Sequence, residues 1–169
     1  MNIIVIGPQH SCTRYTVALI DRHPDVYHVD HMGSNYPNFK NKNFLEKYNK
    51  IVIVSRDASC INKSNAKENK IQFSEDIATQ AINNINDNLD FILKNKLYDF
   101  NNIIFLSIES LVQYRTYIIK KLLLQLELDP QKYDFNLTGR YRPNDAYCKT
   151  GRWFDVDLNI VDPNKKYFT

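Results

Sequence analysis

The sequence predicts an α/β fold: a three-layer arrangement with a mostly parallel β-sheet flanked by helices. Three observations predict it. Short runs of β-branched and apolar residues at 2–6, 51–54 and 103–108 read as strands buried on both faces. Between them lie stretches with apolar residues three and four apart, the period of an amphipathic helix. The first strand also runs straight through a glycine and a polar loop into a helix-like pattern, "IVIGPQHSCTRYTVALI". Strands alternating with helices in this way build parallel sheets.

Each element follows from local residue types. Residues 2–6 are a continuous apolar run bounded by Gly7. Residues 13–22 carry Tyr15, Val17, Ala18, Leu19 and Ile20 and read as a helix ending before "HPD". Residues 26–29 form a weaker strand, and "MGSNYPNF" is a loop by its Gly, Ser, Asn and Pro content. A helical turn is expected at 44–48, a strand at 51–54 ending at "SRD", and a short helix at about 59–67. Residues 74–96 place Ile77, Ala78, Ala81, Ile82, Ile85, Leu89, Ile92 and Leu93 on one face. Ser74 is the expected N-cap there, with Glu75 and Asp76 in the first turn. A strand at 103–108 and a helix at 111–128 follow, with Asp129-Pro130 as the stop. Beyond Phe135 the pattern is irregular and rich in Arg, Asn, Asp and aromatic residues.

The composition sets limits. A chain of 169 residues with 43% hydrophobic content fits a single domain, residues 1–169, with a full-sized core. Mean hydropathy is −0.47, and no apolar stretch approaches the roughly 20 residues of a membrane span. No basic leader precedes the first strand, so no signal peptide is expected. The 3 cysteines, Cys12, Cys60 and Cys148, form no CxxC pair. That pattern points to reduced thiols, a cytoplasmic setting and no zinc site. A net charge of +3 is too mild to imply nucleic acid, and it suits a pocket for a small anion.

Ligands of open parallel sheets sit outside the carboxyl ends of the strands. The segments 7–14, 30–35 and 56–64 all follow strands and should converge on one edge. In the first of these, Gly7 permits a tight turn, and the helix start offers N–H groups and a dipole to an anion. Ser11, Thr13 and Arg14 can add hydroxyl and guanidinium donors. An ordinary βα turn with a capped helix remains the alternative reading of this loop alone. A nucleotide triphosphatase needs Lys on the terminal phosphates and Ser/Thr on magnesium. The chain has Cys12, Thr13 and Arg14 instead, so ATP or GTP hydrolysis is not expected.

"GPQHSCTRY" resembles the 5′-phosphosulfate loop of sulfotransferases, commonly G-x-x-[RK]-S-G-T-[TR]. Gly7, Ser11 and Thr13 fall on that pattern; His10 replaces the Arg or Lys, Cys12 replaces the Gly, and Arg14 stands where Thr is frequent. "IVIVSRDASCINKS" is similar to the family's second motif, in which an Arg at a strand end is followed eight residues later by a Ser. Arg56 and Ser64 have that spacing. "IIFLSIESLVQYRTYIIKKLLLQLELDP" looks like the family's strand–"YEDL"–helix–"LGL" segment, with Glu109, Leu111 and Leu128 on the match. The three motifs span roughly residues 2–135 in the family's order.

The resemblance implies a P-loop-like sulfotransferase fold. It implies a donor, 3′-phosphoadenosine 5′-phosphosulfate (PAPS), and a product, adenosine 3′,5′-bisphosphate, with no metal required. Gly7, Gln9, His10, Ser11, Cys12, Thr13 and Arg14 would hold the 5′-phosphosulfate, and Arg56 and Ser64 the 3′-phosphate. His10 and Arg14 would supply charge to the leaving group. His31, expected to open the loop after the second strand, is the candidate base, with His28 turned into the packing and Asp30 orienting His31; Asp30 itself or a later acid is the alternative base. Cys12 adds a Cβ where the family has glycine, which calls for a backbone that is not left-handed. In the segment 136–169, "KTGRW" loosely resembles the family's late Arg-Lys-Gly element, so Lys149 and Arg152 are candidate donor contacts. That segment, with Arg140 and Arg142 among aromatics, could form a lid.

The expected activity is sulfuryl transfer to a hydroxyl or amine of a small-molecule or glycan acceptor. Two rivals stand beside it: a P-loop nucleoside or nucleotide kinase, and a catalytically weak module that binds a nucleotide or anion. His10 and Cys12 keep the latter open.

Overall fold

A computed structural model describes residues 1–8, 11–33, 41–58, 61, 75–96 and 98–135. Four strands form one sheet: β1 (Asn2–Gly7), β2 (His28–Gly33), β3 (Lys50–Ser55) and β4 (Ile103–Ser107). Their order is β2-β1-β3-β4, and every neighbouring pair is parallel. The helices are α1 (Thr13–Ile20), α2 (Lys42–Leu45), α3 (Glu75–Lys94), α4 (Ile108–Gln113) and α5 (Arg115–Gln125).

Parallel strands need helices on both faces, and their alternation supplies two apolar surfaces. Ile3, Val5, Val52, Val54, Ile104 and Leu106 pack with Leu19 and Ile20 of α1, Leu111 of α4 and four apolar residues of α5. Ile4, Ile6, Met32, Ile51, Ile53 and Ile103 face the other way, onto Leu45 of α2 and Ile85 and Ile92 of α3. The sheet is thus the middle of three layers. No helix among the described residues is long and apolar enough to cross a membrane.

Three boundaries differ from expectation. β2 runs over His28–Gly33 rather than 26–29 because it follows the register of β1, from Asn2 opposite His28 to Gly7 opposite Gly33. The buried ladder of β1 draws the polar "HVDHMG" into a strand that its residue types alone do not favour. The expected helix 111–128 is two helices, broken at Tyr114 (φ −123°, ψ 35°). The first begins early, because the Ser107 hydroxyl caps it by accepting from the Ser110 N–H. α1 ends at Ile20, where His23 begins a buried tie: Nδ1 accepts from the Asp25 N–H and Nε2 bonds the Asp129 carbonyl. The second of the two helices, α5, ends at Gln125, short of the expected stop at Asp129-Pro130, and Glu127 just beyond it is left-handed at φ 60°; Asp129 instead caps a new 3-10 turn, Pro130–Lys132, its side chain accepting from the Gln131 N–H. The expected helix 59–67 and the cap at Ser74 lie outside the described residues.

The chain leaves β1 to form β2 on one side, then returns to form β3 on the other. This reversal makes the carboxyl ends of β1 and β3 the topological switch point, where the sheet opens a crevice.

Candidate functional site

The loop after β1 is pinned at its first residue. A Cβ on Gly7 would collide with the Ser11 hydroxyl and sit 2.9 Å from both Thr13 Cγ2 and the Val54 carbonyl of β3. Only glycine lets the chain pass this close to its neighbouring strand. Ser11 is fully buried, and its hydroxyl and N–H both donate to the Pro8 carbonyl, at 2.6 and 3.1 Å. Its polar groups therefore shape the loop from within.

Cys12 caps α1 with φ 63° and ψ 28°. The backbone is left-handed there, contrary to the expectation that a side chain at this position requires otherwise. The Cβ is accommodated at a cost of about 1–2 kcal/mol. The carbonyl of Cys12 is held twice, by the N–H and the hydroxyl of Thr16. A left-handed residue followed by right-handed Thr13 turns successive N–H groups toward one side, the concavity that binds anions. The N–H groups at the start of α1 and the positive end of its dipole point the same way.

The loop after β3 arrives at this spot. Arg56, only 9% exposed, donates from Nη1 to Cys12 Sγ at 3.6 Å. The next residue is clamped: the Asp57 N–H donates to Glu109 Oε1 at 2.6 Å, and the Ser107 hydroxyl donates to Glu109 Oε2 at 3.1 Å. Glu109 is buried, so the carboxylate fixes the β3 loop to the end of β4 from inside the protein. The sequence places Glu109 only on the segment that resembles the family's "YEDL" stretch. Its grip on the residue after Arg56 needed the neighbouring strand; the only hint was a buried-type strand followed at once by "SIES".

His31 lies within β2, opposite Val5, and not at the mouth of a loop. It therefore shares the face covered by α1, and Arg14 in the first turn of α1 reaches it: Nε donates to His31 Nε2 at 3.1 Å. Alternation along β2 turns Asp30 to the opposite face. There Asp30 Oδ2 accepts from the Tyr48 hydroxyl at 2.6 Å and pairs with His28 Nε2 at 2.8 Å. Two expectations are corrected. Asp30 orients His28 rather than His31, and His28 is exposed beside Asp30 rather than packed inward. Burial acts to raise the Asp30 carboxyl, but the Tyr48 and His28 hydrogen bonds and the charges of His28 and His31 outweigh it and hold it below its usual range. Tyr48 is pushed well up by burial and by Asp30, and burial pushes Tyr98, which donates to the Tyr48 carbonyl, up to about 12.

Gly7, Ser11, Cys12, Thr13, Arg14, His31 and Arg56 thus belong to the carboxyl-end edge of one sheet. Gln9, His10, Ser64, Lys149 and Arg152 lie outside the described residues, as does the segment 136–169. What the described groups offer is a concavity of backbone donors, a guanidinium on the helix start, a second guanidinium from the adjacent strand, and an imidazole within reach of the first. Such a set suits a phosphate-like or sulfate-like anion. Among the described residues, no three His, Cys, Asp or Glu side chains group as a metal site requires. The chain matches no family model, and no curated protein matches it in sequence.

Proposed function

We propose that the chain is a sulfotransferase of P-loop-like fold that moves the sulfuryl group of PAPS to a hydroxyl or amine of a small-molecule or glycan acceptor. The observation that carries this reading is the meeting of two loops. Arg56, from the end of β3, lies 3.6 Å from Cys12, in the residue pattern that resembles a sulfotransferase donor site. An ordinary βα turn gives no reason for a second strand to bring a nearly buried guanidinium to its left-handed corner.

In this reading the first loop, with Gly7, Gln9, His10, Ser11, Cys12, Thr13 and Arg14, cradles the 5′-phosphosulfate. Ser11 contributes shape and Thr13 and Arg14 contribute donors. Arg56 and Ser64 hold the 3′-phosphate, with Lys149 and Arg152 as further contacts. The acceptor oxygen or nitrogen attacks sulfur in line. A new S–O or S–N bond forms, the bond from sulfur to the bridging oxygen breaks, and adenosine 3′,5′-bisphosphate leaves with that electron pair. His31 takes the acceptor's proton. His10 and Arg14 stabilise the charge that develops on the bridging and transferred oxygens. The protein's work is positioning and electrostatics, as in phosphoryl transfer.

Calorimetric titration with adenosine 3′,5′-bisphosphate beside ADP, both in EDTA, tests the reading. Preference for the bisphosphate, weakened about tenfold or more in Arg56→Ala (about 1.4 kcal/mol), is expected. Equal affinity for ADP, or no loss in Arg56→Ala, would overturn it. Binding that requires magnesium would favour a kinase-like enzyme instead.

A further inference from the structure

The outward face of α5 carries side chains that packing does not require. The helix meets its need for burial on the inner side, where Ile118, Ile119, Leu122 and Leu123 enter the α1-side core. On the other side Tyr114, Tyr117, Lys121 and Leu124 follow one another at spacings of three and four, so they form one stripe. Leu124 is 63% exposed, and Tyr114 and Tyr117 are 47% and 53% exposed. Single exposed apolar residues are ordinary; three aligned on one stripe mark an interaction surface. The charge on this face has one sign. Lys121 lies over the Tyr117 ring at 4.8 Å and Lys120 over the Phe135 ring at 5.5 Å. Both lysines are exposed, and neither has a carboxylate partner among the described residues. From Arg115 to Gln125 there is no acidic residue. The first acid past the end of α5, Glu127, is committed to the buried Lys50 Nζ at 2.6 Å.

We infer that the outward face of α5 docks on an anionic lipid bilayer, with Tyr114, Tyr117 and Leu124 entering the headgroup layer and Lys120 and Lys121 facing the lipid phosphates and carboxylates. Charge complementarity selects the sign of the partner. The residue types select its kind. Tyrosine and lysine each join an apolar body to a polar tip, and such side chains sit at the level of lipid headgroups. Protein interfaces are depleted in lysine, and one leucine among the exposed Gln113, Thr116 and Gln125 is too little apolar surface for the core of one. A bilayer needs no matching relief, since it takes up the protruding side chains of a convex helix face one at a time. The chain's own segment 136–169 does not complement this charge, because it carries 6 Lys and Arg against 4 Asp and Glu. Docking here is independent of what the loop after β1 binds.

The test is sedimentation of the full chain with phosphatidylcholine vesicles, with and without phosphatidylserine. Partitioning should be about tenfold or more stronger on the anionic vesicles and should fall as salt screens the surface charge. Lys120→Gln with Lys121→Gln should weaken it about tenfold or more, each lysine counting for roughly fivefold. Leu124→Ser leaves every charge in place and should still weaken it about threefold or more. Tyr117→Ser repeats that apolar test at a second position. All of these positions are exposed, so urea midpoints should stay at the parent's. Equal binding to the two kinds of vesicle, or anionic binding kept in the double lysine variant, would overturn the docking. So would anionic binding that Leu124→Ser and Tyr117→Ser both leave unchanged, because that is attraction to any polyanion without insertion. A dimer in solution that Leu124→Ser abolishes, with no vesicle binding, would overturn it in favour of a second copy of the chain.

Discussion

Replacing Cys12 by glycine and by alanine separates the strain at the loop corner from everything else Cys12 does. Both variants lose the sulfur, and with it the 3.6 Å contact from Arg56 and the packing of the side chain against the α1-side core. They differ only in the Cβ. At an ordinary position, alanine is more stable than glycine by about 0.4–1 kcal/mol, because glycine loses more freedom on folding. At φ 63° the Cβ instead costs about 1–2 kcal/mol. The order should therefore invert, with Cys12→Gly more stable than Cys12→Ala by up to about 1.5 kcal/mol. In urea, with a slope of about 2 kcal/mol per molar, that is a midpoint difference of up to about 0.8 M. Glycine at this position should also leave adenosine 3′,5′-bisphosphate affinity within about threefold of the parent, since the loop keeps its shape while losing one contact. Alanine equal to or more stable than glycine would refute the argument. Residue 12 would then be right-handed, and the anion-binding concavity would lose its basis.

Further outcomes follow from the same geometry. Gly7→Ala brings a methyl against the Val54 carbonyl, a backbone atom that cannot give way, so urea unfolding should show a loss of about 1–3 kcal/mol, and bisphosphate heat should vanish. Glu109→Ala removes the acceptor of the part-buried Asp57 N–H and should cost about 1–3 kcal/mol, more than Glu109→Gln, which keeps an acceptor oxygen; denaturant midpoints at neutral pH separate the two. Because the Asp30 carboxyl is held below the ordinary aspartate range, its contribution to stability is fully present above that range and is lost as pH falls through the depressed folded value. Tyr48→Phe takes away one of the bonds responsible, so the parent's advantage should be full at pH 7 and shrink at pH 3, read as the gap between thermal midpoints.

The elements carried by continuous apolar runs were legible in the sequence, and those carried by tertiary pairing were not. β1, β3 and β4 are read from their own apolar runs; the inner strands β1 and β3 are buried on both faces and so must be apolar throughout, while the edge strand β4 is apolar although its Phe105 is 57% exposed. β2 is different. Half of its residues, His28, Asp30 and His31, are polar, and it is a strand because β1 offers a ladder to pair with. Ending it at Val29, four residues before its end at Gly33, carried an error into the site: His31 became a loop residue and Asp30 its partner, when a strand of period two sends them to opposite faces. The Arg14–His31 bond was hidden for the same reason, since it needs the correct face of β2. By contrast, the convergence of residues 7, 11 to 14 and 56 followed from each segment coming directly after a strand of a parallel sheet, and it is what the sheet delivers. Glu109 lay between these cases: its place after β4 was readable, but its partner on another loop was not.

The two loop motifs form one structure, a point that bears on how far their joint occurrence can be treated as chance. Gly7 is glycine because Val54, near the end of β3, crowds it. Cys12, at the other end of the same loop, is met by Arg56, two residues after Val54. Each end of the first loop is therefore fixed by the carboxyl end of β3, which is itself tied to β4 through Glu109. A left-handed non-glycine residue persists only where its surroundings over-determine it, and these contacts are the surroundings. A βα turn that merely began a helix would be under pressure to shed such strain, by placing glycine at residue 12 or by opening the corner. Keeping the strained corner, with a guanidinium brought to it from the adjacent strand, is reasonable for a protein whose loop must hold a doubly charged group in one orientation. It is costly for one whose loop holds nothing.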